Sequence, residues 1–230
     1  MPRSQPGSRG IRQHGLSLAF GTIFVLALIG QSFAGLQVFN EEQLSHGLAT
    51  VGWGEFVTSS DFVVDVAENW QSEYLQFFLF IFATIWLVQR GSPESKQPGD
   101  EGVGDDEEQL VHEHARADSP RWARVRGIRH TLFSNSLLIV MGVIFLLSWL
   151  VQSLAGVVVF NQEQAEHGQA AIGWLEYLVS ADFWNRTLQN WQSEFLAVGS
   201  MIALSIFLRQ RGSPESKPVG APHAESHIEG

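Results

Sequence analysis

The apolar residues of this chain are bunched into four runs instead of being spread with a single helical or strand period. Residues 16–39 carry no charge over 24 positions, and residues 137–160 carry none over another 24. As helices at 1.5 Å per residue each would be about 36 Å long, against a hydrocarbon core of about 30 Å. Residues 74–88 and 195–208 form shorter runs of about 21 to 23 Å. Each of these must borrow length from the polar NWQSE segment before it, or thin the bilayer locally. The predicted fold class is an all-α membrane protein with four transmembrane helices.

The four runs are two copies of one pair. Residues 31–96 align without a gap onto 152–217 at a constant offset of 121, with about half the positions identical. The identities fall mainly on polar and aromatic residues. Asn40, Glu42, Gln43, His46 and Gly47 recur as Asn161, Glu163, Gln164, His167 and Gly168. Asn69, Trp70, Gln71, Ser72 and Glu73 recur as Asn190, Trp191, Gln192, Ser193 and Glu194, and the whole QRGSPESK run of 89–96 returns at 210–217. Ahead of each shorter run, Phe62, Val66 and Trp70, like Phe183, Thr187 and Trp191, fall at i, i+4, i+8, which predicts amphipathic outer helices. Ser59 or Asp61 is the expected N-cap, Asp61 recurring as Asp182. Both copies run in, out and back, so they form tandem repeats in parallel orientation, a fused pseudo-dimer about an axis along the membrane normal.

Charge orients this arrangement. The net charge is −10, yet 13 of the 14 Lys and Arg precede the first run, lie between the second and third, or follow the fourth; Arg186 is the exception. The positive-inside rule then places both termini and the linker in the cytoplasm of a multi-pass inner (plasma) membrane protein. The opposite side is acidic: residues 40–73 hold seven Asp and Glu and no Lys or Arg. Trp53, Trp70, Trp174, Trp184 and Trp191 are expected in its interfacial aromatic belt. Arg121, Arg124, Arg126 and Arg129 flank Trp122 just before the third run, a segment suited to anionic lipid headgroups rather than nucleic acid. A signal peptide is the competing reading of the first run, with Arg3, Arg9 and Arg12 before it and Ser32-Phe33-Ala34 as a cleavage-like site. The Gln-Ser-x-Ala-Gly sequence there recurs in mid-chain at 152–156, so it belongs to the repeat.

The expected domains are a disordered basic arm (1–13), a first two-span repeat (14–96), a charged cytoplasmic linker (97–129), a second two-span repeat (130–217) and a disordered tail (218–230). Cysteine is absent, which excludes disulfides and thiolate metal sites.

Among candidate chemical groups, Glu73 and Glu194 stand out, each one turn inside a short span with Asn69 or Asn190 on the same helical face. An intramembrane carboxylate defaults to a functional reading, weighed against a wet position among the headgroups. Gln31 and Gln152 are their expected partners on neighbouring spans, on faces with Ala27, Ala34 and Gly35 or Ser148, Ala155 and Gly156; such small residues also suit plain helix packing. Glu42 with His46, and Glu163 with His167, are i, i+4 pairs that could chelate a divalent ion. They match neither HExxH nor ExxH, and capping around a turn at Gly47 and Gly168 is the favoured reading. His112-Glu113-His114 is an unrepeated alternative metal group in solvated sequence. No phosphate loop, nucleophile elbow or dinucleotide fingerprint is present, so no cofactor and no catalytic residue is assigned.

The pattern NxEQxxHG, then NWQSEFL, then an apolar stretch closing on FLRQRGSPESKPV, resembles a family of bacterial integral membrane proteins known as domain of unknown function 6766. The resemblance covers nearly the whole chain, from about His14 to His223. It implies a bacterial inner-membrane protein with four spans and implies no activity. The first copy departs at Val88, where the second has Arg209. The expected function is therefore a non-enzymatic membrane protein. A small cation or proton channel or transporter using the paired glutamates is the first alternative, and a metal-dependent membrane enzyme the second.

Overall fold

The computed structural model describes residues 13–226. All but the last residue of the expected basic arm, and residues 227–230 of the expected tail, lie outside the described residues. Among those described there are seven α-helices, two short 3-10 helices and no strand. The α-helices are α1 (Gly15–Ser45), α2 (Trp53–Phe56), α3 (Ser60–Trp86), α4 (Ile128–Ser134), α5 (Ser136–Glu166), α6 (Trp174–Tyr177) and α7 (Ala181–Leu204). The chain divides into two compact units, one ending at Val64 and one beginning at Asp65.

In the first unit α1 runs for 31 residues without a proline or an internal charge until Glu41. It stops where Gly47 takes φ of +74°, a left-handed conformation open to glycine. The Leu48 N–H then reaches back to the Gln43 carbonyl and the Gly47 N–H to the Leu44 carbonyl, the two bonds of a Schellman motif. The chain returns alongside its own helix because Asn40 grips Val51 twice, accepting from its N–H at 2.8 Å and donating to its carbonyl at 3.1 Å. The Trp53 indole N–H donates to Ser32 Oγ at 3.0 Å, and the buried Phe56 ring lies on Gly35, where a Cβ would approach it to 2.9 Å. Ser32 precedes Asn40 by eight residues, so α2 has turned back about 12 Å along α1.

The second unit builds the same local fold on α5. Gly168, with φ of +67°, ends the helix with the same pair of bonds; Asn161 grips Ile172 at 2.8 and 3.0 Å; Trp174 donates to Ser153 Oγ at 3.0 Å. Tyr177 lies on Gly156 as Phe56 lies on Gly35. The N-caps are serines: Ser59 accepts from Phe62 N–H at 3.3 Å and Ser180 from Phe183 N–H at 3.2 Å, while Asp61 and Asp182 sit in the first turns. Beyond these caps the amphipathic stretches do not bend away; α3 and α7 continue as single helices of 27 and 24 residues.

The QRGSPESK segments fold alike, each looping so that its second serine accepts from the backbone N–H of its first residue. Ser95 Oγ receives Gln89 N–H at 2.7 Å and Ser216 Oγ receives Gln210 N–H at 2.9 Å. α7 ends at Leu204, and Arg209 donates to the carbonyls of Ser205, Ile206 and Leu208, which follow the helix. The buried Lys217 ammonium donates to the carbonyls of Gly91, Pro222, His223 and Glu225, tying residues 222–225 to the first QRGSPESK segment.

Two helices, α1 and α5, are long and apolar enough to cross a membrane, and only 6% and 17% of their most apolar stretches are buried. Most of their leucines, valines and phenylalanines are exposed.

Candidate functional site

The polar residues that come together in the second unit centre on Arg186. One turn along α7 from Asp182, its guanidinium lies 3.3 Å from that carboxylate. It also lies 3.7 Å from Glu68 Oε2 on α3 and 4.0 Å from Glu163 Oε1 at the end of α5. One cation thus faces three carboxylates. Tyr177, fully buried, donates its hydroxyl to Asp182 at 2.9 Å and so fixes that side chain. Burial, then the bond to Asp182, raises the Tyr177 phenol, which stays protonated.

A neutral layer adjoins this charged one. The Trp191 indole N–H donates to Gln71 Oε1 at 2.7 Å, and Thr187 Oγ1 receives Trp149 Nε1 at 3.4 Å and Gln152 Nε2 at 3.5 Å. Gln71, Gln152 and Thr187 are each 0% exposed. The Trp149 and Trp191 rings meet at 6.0 Å and close the layer. Glu68 Oε2, Gln71 Nε2 and Gln152 Oε1 are buried atoms without a hydrogen-bond partner.

The residues singled out from sequence are placed unequally. Gln152 is buried, but its partner is Thr187 rather than Asn190 or Glu194; Gln31 is exposed. Asn69 and Asn190 donate to carbonyls of their own helices, those of Asp65 and Arg186. Glu73 is exposed and Glu194 half-buried. Glu42 and His46 are exposed. His167 Nδ1 sits 2.8 Å from the backbone oxygen of Glu163, whose carboxylate turns toward Arg186 instead of the imidazole. His112 pairs with Asp106 at 2.9 Å and packs on His130 at 4.4 Å, beside a cavity of about 820 Å³. Among the described residues no group of three or more His, Asp or Glu is arranged to hold a metal ion.

Sequence reasoning missed Glu68, Gln71, Trp149, Tyr177, Asp182, Arg186 and Thr187 as one cluster. A usable signal lay in the differences between the copies. The 121-residue offset pairs Arg186 with Asp65, Thr187 with Val66, Tyr177 with Phe56, Trp149 with Leu28 and Gln189 with Glu68. At these positions one copy carries a polar or charged group that the other lacks or inverts.

A family model described as Domain of unknown function (DUF6766) matches residues 7–228. No curated protein and no solved structure matches the chain.

Proposed function

The chain belongs to the DUF6766 family, and we propose that it is a non-enzymatic integral protein of the bacterial inner membrane. In this reading it consists of two fused two-span units in parallel orientation, with termini and linker in the cytoplasm. The observation that carries it is the outward-facing apolar surface of α1 and α5. In a water-soluble protein, helices this apolar would be buried in a core, whereas here 6% and 17% of their most apolar stretches are buried. Lipid is the solvent that accommodates such a surface. Supporting the further spans, α3 and α7 are about 40 and 36 Å long as helices, enough to cross a bilayer although their first halves carry acids. Supporting the duplication, the Asn grip, the Trp–Ser bond and the Schellman glycine occur at positions 121 residues apart. Alkaline extraction of membranes tests the reading: the protein stays in the bilayer pellet if it is integral, and release into the supernatant refutes it.

A second reading, a small cation or proton pathway, is favoured by the recurrence of Glu73, in α3, as Glu194, in α7, 121 residues further on. Proteoliposomes carrying the protein should then pass protons or small cations faster than empty liposomes, and Glu73→Gln with Glu194→Gln should return flux to the empty rate. Equal flux from the wild type and the empty liposomes rejects it.

A further inference from the structure

A cavity of about 310 Å³ opens on the second unit, walled by the rings of Trp149, Trp174, Phe183 and Trp184 together with Leu146 and Leu150. Leu146, Leu150, Trp174 and Trp184 are exposed, which puts its mouth at the surface. The aromatic wall is braced by ring contacts: Trp149 meets Phe183 at 5.9 Å and Trp184 at 6.0 Å, and Phe183 meets Trp184 at 5.6 Å. All three indole N–H groups are already engaged, donating to Thr187 Oγ1 at 3.4 Å, Ser153 Oγ at 3.0 Å and the Leu178 carbonyl at 3.0 Å. Ser153, which also lines the cavity, gives its own hydroxyl to the Leu150 carbonyl at 2.7 Å. No lining side chain has a donor left to offer. A polar ligand would lose its hydrogen bonds to water there without replacement, so the cavity suits hydrocarbon.

Depth selects the kind of hydrocarbon. Ser153 and Leu146 lie about 12 and 22 Å along α5 from Asn161, which follows the uncharged run. In the membrane reading, on which this inference rests, that interval straddles the midplane of a core about 30 Å thick, where acyl tails lie. Charge selects the lipid. Residues 161–186, which lead from the outer end of α5 into α7, carry Glu163, Glu166, Glu176 and Asp182 against Arg186 as their one Lys or Arg. Such an acidic stretch favours a headgroup bearing a cation over an anionic one. We propose that the cavity holds one acyl chain of a phospholipid with an ammonium headgroup. Two of its rings belong to the second copy alone, since Trp149 and Trp184 correspond to Leu28 and Val63 at the 121-residue offset.

Native mass spectrometry of the full chain, purified from vesicles of equimolar phosphatidylethanolamine and phosphatidylglycerol, is the test. Wild type should retain one phospholipid per chain, with the ethanolamine lipid favoured about threefold or more. Trp149→Leu with Trp184→Val should lower that retention about threefold or more, because it removes two of the four rings. Trp184→Val alone, at a partly exposed ring, should act in the same direction and serves if the double variant does not fold. Retention unchanged in the folded variants, a preference for the glycerol lipid, or a wild type that carries no lipid overturns the proposal. So does a dimer that the same variants abolish, since a second copy then fills the cavity. Alkaline extraction separates the premises: a chain released into the supernatant fails the membrane reading and the proposal with it, whereas one that stays in the pellet yet retains no lipid fails the proposal alone.

Discussion

Arg186→Met should destabilise the protein more than removing any one of its carboxylate partners. The substitution keeps the apolar stem but leaves Glu68, Asp182 and Glu163 facing one another. At an effective dielectric near 20, each pair at 3.3 to 4.0 Å is worth about 4–5 kcal/mol before desolvation. Most of that is offset by the desolvation of the charges themselves. Glu163 is 56% exposed, so its pair adds little; Arg186, Glu68 and Asp182, at 28%, 20% and 29%, are shielded enough for the broken-pair penalty to apply in part. The net loss is then about 2–4 kcal/mol, or roughly 5–15 °C in the unfolding midpoint for a chain of this length. Thermal unfolding in detergent reads it directly. Adding Glu68→Gln to Arg186→Met should recover part of the loss, because it removes an acid that no longer has a counter-charge. A midpoint within 1 °C of wild type for Arg186→Met, or a further fall when Glu68→Gln is added, would refute the reasoning.

Asn161→Ala removes both bonds to Ile172 and should cost about 1–3 kcal/mol, with Asn40→Ala losing a similar amount through Val51; both are checked by the same melts. The Glu94 carboxyl is pushed above its ordinary value of 4.5 by burial and then by the charge of Glu215. Its stabilising contribution is therefore complete below about pH 4.5 and lost as pH rises through the higher folded value. Glu94→Gln should gain on wild type between pH 4 and pH 7 in paired melts, and a gap that does not change with pH would contradict this. Glu73→Gln with Glu194→Gln should leave insertion and the melting midpoint close to wild type, since both side chains touch solvent; a large fall in the midpoint would make the pair structural.

The all-helical character was legible because residues 16–39 and 137–160 hold no charge and no proline, and α1 and α5 cover them with a few residues to spare. The family was legible too, since polar identities such as NWQSE and QRGSPESK are more specific than apolar ones. The α3 and α7 helices were harder to delimit. Asp61, Asp65, Glu68 and Glu73 in one, and Asp182, Arg186 and Glu194 in the other, interrupt the apolar pattern, although they do not interrupt the helix. The return of α2 and α6 along α1 and α5 was illegible because it depends on Asn40 and Asn161 each bonding a backbone 11 residues away. The Arg186 cluster was missed for a different reason. Attention to what the copies share selects residues that each copy needs for its own fold, such as the glycine turns. An interaction between α3 and α7 needs complementary groups, so it draws on positions where the copies differ, such as Asp65 against Arg186.

Cysteine accessibility tests the proposed membrane topology most directly, because the chain contains no cysteine of its own. Single cysteines at Ser45, Glu166 and Gly104 are to be probed with a membrane-impermeant maleimide on intact cells stripped of any outer membrane. Labelling at Ser45 and Glu166 with protection of Gly104 until the membrane is opened is the expected result; labelling of Gly104 in intact cells with protection of the other two would contradict the proposed topology.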